Sequence, residues 1–402
     1  MNRYTASKKV YLEPAWKLPV SYEYMTAHPP QGYQFVVSPN GNRMFHFASR
    51  WSQSYDVLNA LDSVFPTVLL ASWLRRRGKP PLGTVLTWAH GQMVLRPEPW
   101  VVEVEYASLL LGPNPKHLKK YRRTLERLLS SPHCRKIRCW CEAGRRTLVT
   151  GLDCRNYEHK IETIYPAVSP KRFVKRPEGK NVKLLFVGSG NIKGHFEEKG
   201  GRYVLEAFAI LAQCYPELEL VIRSDMPTSL KATCQGAKNI RIIDTVVPAE
   251  TLVHEYESSD IFLLPSHTTP PYTILDAMSY ELPVVSIDAW ANPEFIADGR
   301  TGLLAHRSTK VPYYEDACQP RFGTSDFREA IRKSDPAVVE ELVKKVSLLI
   351  DSPLLRRGLG KAAREEVEHG RFSIGKRNEK LKRLFDEALA KGEGKKGNND
   401  CD

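Results

Sequence analysis

The chain has 402 residues, 42% hydrophobic and 26% charged, which is enough for two globular domains and argues against a disordered polymer. No apolar run reaches the roughly 18 residues of a membrane-spanning helix. The N-terminus lacks the apolar core of a signal peptide, so we expect a cytoplasmic protein. The net charge of +13 is uneven, because residues 1–180 hold 29 Lys and Arg against 13 Asp and Glu.

The first half of the chain predicts an irregular series of short strands. Five apolar runs have the length and composition of strands: residues 34–37, 44–47, 84–88, 101–104 and 137–140. Lys116–Ser130 is predicted as a helix, because leucines and a tyrosine recur along one face. We assign residues 1–168 to an N-terminal domain, and the polar, basic stretch 169–180 to a linker.

The second half alternates short apolar strands with amphipathic helices. The predicted strands cover residues 183–187, 218–222, 240–243, 261–264 and 284–287. The predicted helices cover residues 204–215, 249–257, 273–280, 336–351, 354–369 and 374–389. This alternation predicts an α/β domain at 181–372, with a parallel sheet covered on both faces and ligands beyond the carboxyl ends of its strands. The polar, Gly-rich tail 390–402 is expected to be disordered.

Charge and cysteine content limit the partners. The basic first half predicts an anionic partner, such as a phosphate-bearing ligand or an anionic membrane. Nucleic acid is not expected, because no recognition motif accompanies the charge. The eight cysteines form no Cys-x-x-Cys pair and no zinc-type cluster, so we expect reduced thiols and no metal site.

Two interpretations of Lys116–Ser130 remain open at this stage. Its basic residues crowd one side, so the helix can lie on an anionic membrane as a peripheral contact at the inner membrane face. It can also be a domain helix that buries its apolar face and leaves its basic face in solvent.

Five segments of the second half share an order and spacing that are typical of one enzyme family. The first, at 186–208, contains FVG, FEEKGG and LEAF. The other four are SDIFLLPS at 259–266, LDAM at 275–278, PVV at 283–285 and PEFIADGRTGLL at 293–304. Together they resemble the C-terminal domain of family 4 (group 1) retaining glycosyltransferases. The resemblance covers about 181–306 and is thin over 1–160.

The resemblance implies a fold, a reaction and partners. The fold is GT-B, with two doubly wound, Rossmann-like α/β domains facing across a cleft and a terminal helix at 373–389 packed back on the N-terminal domain. The reaction transfers a hexose-type sugar from a nucleotide-diphosphate-sugar donor to an acceptor hydroxyl. The resemblance implies retention of configuration, no metal and no cofactor. The basic first half suits a lipid-linked or phosphate-bearing acceptor.

Two predicted helix starts provide positive potential for a diphosphate. Lys199 and Gly200 precede the first helix, where backbone N–H groups and a lysine charge can stabilise a departing diphosphate. An exposed lysine at a helix start is the simpler alternative. At the second start, the N–H groups of Tyr272, Thr273 and Ile274 are predicted to face phosphate.

Three further contacts follow from the resemblance. Asp276 stands where the family has a ribose-binding Glu, although a carboxylate there also complements the helix N-terminus. Glu294 matches a position near the donor sugar or nucleotide, and its alternative is a solvent-facing residue at a helix start. His90 ends a predicted strand and is placed near the sugar, forming the predicted catalytic set with Lys199, although a lone His is often structural.

Two positions depart from the family. Thr268 replaces a Glu, eight residues before Asp276, that contacts the donor sugar. Gly188 is not followed by the family's phosphate-binding Arg, and Arg223 is the predicted substitute unless it pairs with Asp225. These departures leave open a catalytically weak or inactive relative that binds nucleotide sugar or glycan. A GT-B epimerase or phosphorylase is a further alternative, but no pyridoxal-phosphate lysine context is present.

Overall fold

Each half of the chain folds on a parallel sheet of its own. The computed structural model describes residues 7–13, 20–37, 61–62, 64–112, 114–173, 181–189, 194–234, 236–316 and 319–390. The predicted strand 44–47, linker residues 174–180 and tail residues 391–402 lie outside the described residues. The first unit comprises Met1–Pro166, Tyr314–Thr324 and Ile374–Asp402, and the second comprises Ala167–Tyr313 and Ser325–Ser373.

The first unit is built on a six-stranded sheet. Its strands are β1 (Lys8–Glu13), β2 (Tyr33–Val36), β3 (Thr84–His90), β4 (Trp100–Val104), β5 (Cys134–Cys139) and β6 (Ile161–Thr163). Its helices are α1 (Val20–Ala27), α2 (Thr67–Arg75), α3 (Lys116–Ser130) and α4 (Glu142–Gly151), with 3-10 turns at Ala107–Leu110 and Glu158–Lys160. The strand order is β2-β1-β3-β4-β5-β6, and every pairing is parallel.

The sequence predicts most of this sheet but misses its two weakest strands. The predicted runs at 34–37, 84–88, 101–104 and 137–140 correspond to β2 to β5. Strand β1 is not predicted because its apolar run is only three residues long. Strand β6 is not predicted because the whole strand has only three residues. In both cases pairing with a neighbouring strand, rather than local pattern, makes the segment extended.

The second unit is built on another six-stranded parallel sheet. Its strands are β7 (Lys183–Val187), β8 (Glu219–Arg223), β9 (Ile240–Ile243), β10 (Ile261–Leu263), β11 (Val284–Ile287) and β12 (Gly302–Ala305). Its helices are α5 (His195–Glu198), α6 (Gly201–Cys214), α7 (Thr228–Thr233), α8 (Ala249–Glu257), α9 (Pro271–Ser279), α10 (Asn292–Phe295), α11 (Ser325–Ala330), α12 (Pro336–Asp351) and α13 (Pro353–Glu368). The two sheets and their helices confirm the predicted α/β fold class.

The strand order of the second sheet locates its ligand-binding edge. The order is β12-β11-β10-β7-β8-β9, so the chain winds outward in both directions from the β7–β10 pair. Every residue of β7, β10 and β11 is buried, as expected for a parallel sheet covered on both faces. In sheets of this kind ligands bind beyond the carboxyl ends of the two strands where the winding reverses, and here these strands are β7 and β10.

The last helix, α14 (Ile374–Ala390), belongs to the first unit although it follows the second in sequence. Its Leu381, Leu384 and Phe385 join the core that contains β1 and β3. The Phe385 ring lies 5.0 Å from that of Tyr33 and 5.6 Å from that of Trp88, measured between centroids. This apolar contact returns the chain to its first sheet.

A short segment near the end of the second half also belongs to the first unit, which differs from the predicted boundary. The sequence assigns residues 181–372 to one domain, yet Tyr314–Thr324 packs with the first. Gln319 Nε2 donates to the carbonyl of Thr147 at 2.6 Å, and Phe322 lies edge-on to Tyr106. A segment this short has no periodic hydrophobic pattern, so its assignment to the first unit cannot be predicted from the sequence.

Helix α3 buries its apolar face, which decides between the two interpretations of this helix. Leu118, Leu125 and Leu129 lie in the core of the first unit, while the basic residues of the helix are exposed. The helix is therefore a domain helix with a solvated basic face. None of the helices in the described ranges is long and apolar enough to cross a bilayer.

We predict that Phe385→Ala lowers the free energy of unfolding of the first unit by about 3–5 kcal/mol, because a fully buried ring leaves a cavity among Tyr33, Trp88 and its other neighbours. Chemical denaturation followed by circular dichroism measures the change. The exposed Lys380 on the same helix provides the control variant Lys380→Ala. Equal stability of the two variants would contradict the packing of α14.

Candidate functional site

The predicted donor-site residues of the second unit lie around the ends of β7, β8 and β10. Gly188 directly follows β7, and Arg223 is the last residue of β8. Pro265 to Thr268 form the loop after β10. Parallel strands carry these residues to one edge of the sheet, as the sequence predicts.

Gly188 and Arg223 hold each other through two hydrogen bonds. The N–H of Gly188 donates to the carbonyl of Arg223 at 2.8 Å, and Arg223 Nη1 donates to the carbonyl of Gly188 at 3.1 Å. A Cβ at Gly188 would come within 2.5 Å of Ser224 Oγ, so this position requires glycine. Arg223 makes no ion pair with Asp225 within the described ranges, and burial lowers the pKa of its guanidinium. Its Nε is buried without a hydrogen-bond partner among the described residues.

The start of α6 presses against the loop after β10. Gly200 has a φ of 79° and caps the helix. A Cβ at Gly200 would lie 2.1 Å from the carbonyl oxygen of Pro265. The absence of a side chain therefore allows the preceding residue, Lys199, to reach the loop.

Lys199, Thr268 and Glu198 form a closed network. Lys199 Nζ donates to Thr268 Oγ1 at 2.9 Å and to Glu198 Oε1 at 3.2 Å. Thr268 Oγ1 donates to the same Glu198 oxygen at 2.9 Å. Burial acts to raise the pKa of Glu198, but the neighbouring cations, Lys199 first, and the Thr268 hydrogen bond outweigh it and lower the pKa. The carboxylate is therefore ionised beside the predicted phosphate-binding lysine.

Sequence reasoning missed Glu198 as a site residue. The residue stands within the FEEKGG segment, directly before Lys199, so a signal was present. Its hydrogen bond with Thr268 is visible only in the tertiary structure, because the two residues are 70 positions apart in the sequence.

The start of α9 differs from its predicted position. The helix begins at Pro271, two residues earlier than predicted. The N–H of Ile274 consequently donates to the carbonyl of Pro270 at 3.1 Å, so the prediction that this N–H faces phosphate is wrong. Tyr272 and Thr273 lie in the first turn, where a backbone N–H has no acceptor within the helix.

Asp276 lies one turn further along α9 and is partly exposed. Its Oδ1 lies 3.6 Å from Lys171 Nζ. Burial and then the charge of Asp276 raise the pKa of Tyr280 to about 12. Tyr256 stacks on Tyr280 with a centroid distance of 5.1 Å. Asp276 is thus a partly exposed carboxylate whose charge acts on one of two stacked tyrosines.

Asn292, a residue with no predicted role, joins the loops after β10 and β11. Its amide nitrogen donates to the carbonyls of Ser266 and Ile287 at 2.9 and 3.0 Å, and its oxygen accepts from Thr269 Oγ1 at 2.8 Å. Glu294 follows on the short helix α10, and its backbone carbonyl accepts from Arg371. These bonds fix the loop that carries Thr268.

His90 is the predicted site residue in the first unit, at the carboxyl end of β3. Its Nδ1 lies 2.9 Å from Oε2 of the buried Glu103. Glu103 also accepts hydrogen bonds from Arg138 and from the indoles of Trp88 and Trp140. Since an ionised carboxylate only accepts, His90 donates through Nδ1, and Nε2 is the nitrogen through which it can act on a ligand.

The two members of this dyad shift each other's pKa. Burial opposes the ionised Glu103, but Arg138 and His90 outweigh it and lower the pKa of Glu103 to about 2. Burial likewise acts to lower the pKa of His90, but the hydrogen bond and charge of Glu103 raise it above its ordinary value. His90 keeps 31% of its side chain exposed, so a fixed, accessible imidazole results.

Candidate metal ligands gather away from these residues. In the part of the chain that the structure describes, the close acidic and histidine group is Glu365, Glu368 and His369, on and next to α13. The six cysteines in the described ranges are free thiols, five of them buried.

The family comparison covers most of the second unit. Residues 181–318 match the family model for the glycosyl transferases of group 1. An uncharacterised glycosyltransferase of Haemophilus influenzae is 28% identical over 238 residues, covering 58% of this chain and 56% of the relative. Sulfoquinovosyl transferase SQD2 of Arabidopsis thaliana is 31% identical over 147 residues, covering 36% of this chain and 21% of the relative. The chain therefore spans about half of one curated relative and about a fifth of the other.

Solved structures share the architecture of both units. Sucrose-phosphate synthase of Thermosynechococcus elongatus has a TM-score of 0.59 at 12% identity, covering 96% of this chain and all of that one. Anabaena HepE in complex with UDP-glucose has a TM-score of 0.58 at 13% identity, covering 94% of this chain and 99% of that one. The chain has the two-domain GT-B fold of these structures, and its residues 181–318 are similar to the glycosyl transferases of group 1.

We predict that Glu103→Gln lowers the pKa of the His90 imidazole relative to wild type, because the neutral amide no longer stabilises the imidazolium. Ring NMR signals followed against pH measure it. The exposed His306, whose pKa Asp288 raises, is the internal control and should not change. An unchanged His90 pKa would contradict the dyad.

We also predict that acidification removes the contribution of Glu103 to the free energy of unfolding of wild type. A lowered carboxyl pKa contributes stability above its unfolded value of about 4.3, and this is lost as the pH falls toward about 2. Near neutral pH, Glu103→Gln should cost about 3–5 kcal/mol, because the buried Arg138 loses its partner. Denaturation of both proteins at several pH values tests this. A difference that does not shrink on acidification would argue against the ion pair.

Proposed function

We propose that this protein transfers a sugar from a nucleotide-diphosphate-sugar donor to an acceptor hydroxyl, and that the donor binds at the carboxyl edge of the second sheet. The contact of Lys199 with the loop after β10 carries the proposal. It places a cation and the start of α6 together beside the β7–β10 pair, within the residues that match group 1 glycosyltransferases. Anabaena HepE, a solved protein of the same fold, binds UDP-glucose and UDP.

The diphosphate is held by groups that carry positive charge without bulk. Lys199 and the N-terminus of α6 bind one side of it, and the first turn of α9, with Tyr272 and Thr273, binds the other. Arg223, whose Nε lacks a partner among the described residues, supplies a guanidinium. Negative charge grows on the diphosphate as the glycosidic bond breaks, so these fixed groups stabilise the transition state more than the ground state.

The remaining donor contacts follow the chemistry of each side chain. Asp276 accepts hydrogen bonds from the ribose hydroxyls, and Glu294 lies near the sugar or nucleotide. His90, oriented by Glu103, contacts the sugar near the reacting carbon through Nε2. Gly188 and Gly200 allow Ser224 and Pro265 to approach their backbone closely, which sets the backbone on which the donor binds.

The finer features of the reaction rest on the family resemblance. They are transfer of a hexose-type sugar with retention of configuration, independence of metal ions and independence of a cofactor. Lys199 and Arg223 are the cations that would serve the diphosphate in place of a metal. We propose a lipid-linked or phosphate-bearing acceptor, because the first 180 residues carry the excess positive charge of the chain.

An inactive relative that only binds nucleotide sugar or glycan is the weaker proposal. Its support in the sequence is the loss of a Glu at position 268 and of an Arg after Gly188. The structure places the Glu198 carboxylate 2.9 Å from the Thr268 hydroxyl, so negative charge is present at this position after all.

We predict that Lys199→Ala weakens binding of a nucleoside diphosphate by about 10- to 100-fold, the range expected for one charge-assisted hydrogen bond. Calorimetric titrations with UDP, GDP, ADP and dTDP, before and after the substitution, identify the base and measure the loss. The matched control is Lys361→Ala, an exposed lysine on α13. Undiminished binding by Lys199→Ala would remove the phosphate role, and the absence of binding by folded wild type would remove the proposed function.

We further propose peripheral contact with an anionic membrane at its inner face, through α2 and not α3. Leu70, Trp73 and Leu74 share the exposed side of α2 and are 50%, 49% and 61% accessible. The Arg76 guanidinium lies 3.6 Å from the centroid of the Trp73 ring, and two further exposed cations follow at Arg77 and Lys79. Apolar side chains rimmed by cations match the interface of an anionic bilayer.

We predict that Trp73→Ser with Leu74→Ser reduces binding to vesicles of phosphatidylglycerol and phosphatidylcholine tenfold or more, since each buried apolar side chain contributes about 1.5–3 kcal/mol. Co-sedimentation measures the loss. Leu354→Ser, a comparably exposed leucine in the second unit, is the control. Unaltered binding, or a dimer that dissociates in the double variant, would assign this face to another partner.

A further inference from the structure

Glu198 has an oxygen that no protein group occupies in the described ranges. Both of its hydrogen bonds, from Thr268 and from Lys199, converge on Oε1. Its Oε2 has no hydrogen-bond partner among the described residues, and 29% of the side chain is exposed. The residue therefore presents an ionised, accessible acceptor next to the cation that we assign to the diphosphate.

The charge of Glu198 limits what it can bind. A carboxylate 3.2 Å from Lys199 Nζ repels a phosphate, so it does not itself hold the diphosphate. An ionised carboxylate accepts hydrogen bonds and donates none, so an uncharged group that binds it must be a hydrogen-bond donor. In a nucleotide sugar, the groups that lie next to the diphosphate and donate hydrogen bonds are the hydroxyls of the transferred sugar and of the ribose.

The backbone holds Glu198 in place before any ligand arrives. Its carbonyl accepts from the N–H of His267 at 2.9 Å and from Ser266 Oγ at 3.5 Å. The glycine at position 200 brings this segment against Pro265. The neighbouring His267 adds no charge, because burial lowers its pKa to about 3. A carboxylate fixed in this way loses little freedom on binding, which favours a specific contact.

We propose that Glu198 binds hydroxyls of the donor sugar, and that Thr268 is the positioning residue that orients it. The inference rests on the proposed function and adds a sugar-reading residue to it. The Thr268 hydroxyl accepts from Lys199 and donates to Glu198, so the cation for the diphosphate and the acceptor for the sugar are set by one side chain. In this proposal Asp276 binds the ribose, on one side of the diphosphate, and Glu198 binds the transferred sugar, on the other side.

The test compares a nucleotide sugar with its own nucleoside diphosphate, so that only the sugar differs. Binding of UDP and UDP-glucose, or of the GDP, ADP or dTDP pair that wild type prefers, is measured by calorimetry. Glu198→Gln keeps the shape and removes the charge. Glu198→Gln should lower the affinity for the nucleotide sugar about 10- to 100-fold. The affinity for the nucleoside diphosphate should stay the same or rise, because the substitution removes a negative charge that repels the phosphates. Glu250→Gln, an exposed glutamate on α8, is the matched control.

A relocation variant separates a sugar contact from a structural role. Glu198→Gln combined with Thr268→Glu moves the carboxylate to the neighbouring side chain and should restore at least tenfold of the lost affinity for the nucleotide sugar. Thr268→Val keeps the shape of Thr268 but removes the hydroxyl that contacts both Lys199 and Glu198, so it should weaken binding of the nucleotide sugar more than binding of the nucleoside diphosphate. It also serves if Glu198→Gln fails to fold.

The outcomes are distinct. Equal weakening of both ligands by Glu198→Gln, or no weakening of either, overturns this inference and leaves the proposed function standing. Failure of folded wild type to bind any of the nucleotides overturns both. Selective loss with recovery in the relocation variant establishes Glu198 as the sugar-reading residue.

Discussion

The candidate donor site of the second unit depends on the close approach of Gly200 to Pro265. Any side chain at position 200 would lie 2.1 Å from a backbone oxygen that cannot move away. This approach brings α5 and the start of α6 to the loop after β10, and only then can Lys199 reach Thr268. One contact that only glycine permits therefore sets the positions of the start of α6, of Lys199 and of Glu198.

Each unit has a carboxylate held near the carboxyl end of a parallel strand. Glu103 lies in β4 of the first unit, and Glu198 lies beside the loop that follows β10 of the second. In the first unit, Glu103 is fully buried and receives four donors, so it orients His90 and carries no ligand itself. In the second unit, Glu198 receives two donors on one oxygen and is partly exposed. The same functional group therefore positions a neighbour where it is satisfied, and can bind a ligand where it is not.

Most strands and helices of the second unit are predictable because each is a local pattern. Buried parallel strands are short apolar runs, and the helices that cover them repeat their apolar residues every three or four positions. Helix starts are less predictable. Pro270 and Pro271 obscure the start of α9, so Ile274 was expected to offer an N–H that the helix itself uses. Strands as weak as β1 and β6 depend on their neighbours and leave little local signal.

By itself, the sequence determined the α/β class, the family resemblance and the candidate residues Lys199, Thr268 and His90, because apolar periodicity and short motifs are properties of neighbouring positions. The tertiary structure alone decided which partners these residues have. Glu198 meets Thr268 across 70 positions, Glu103 meets His90 across 13, and α14 returns to the first sheet. Such contacts arise from the order of strands within a sheet and from packing against it, and neither is written in the spacing of residues along the chain.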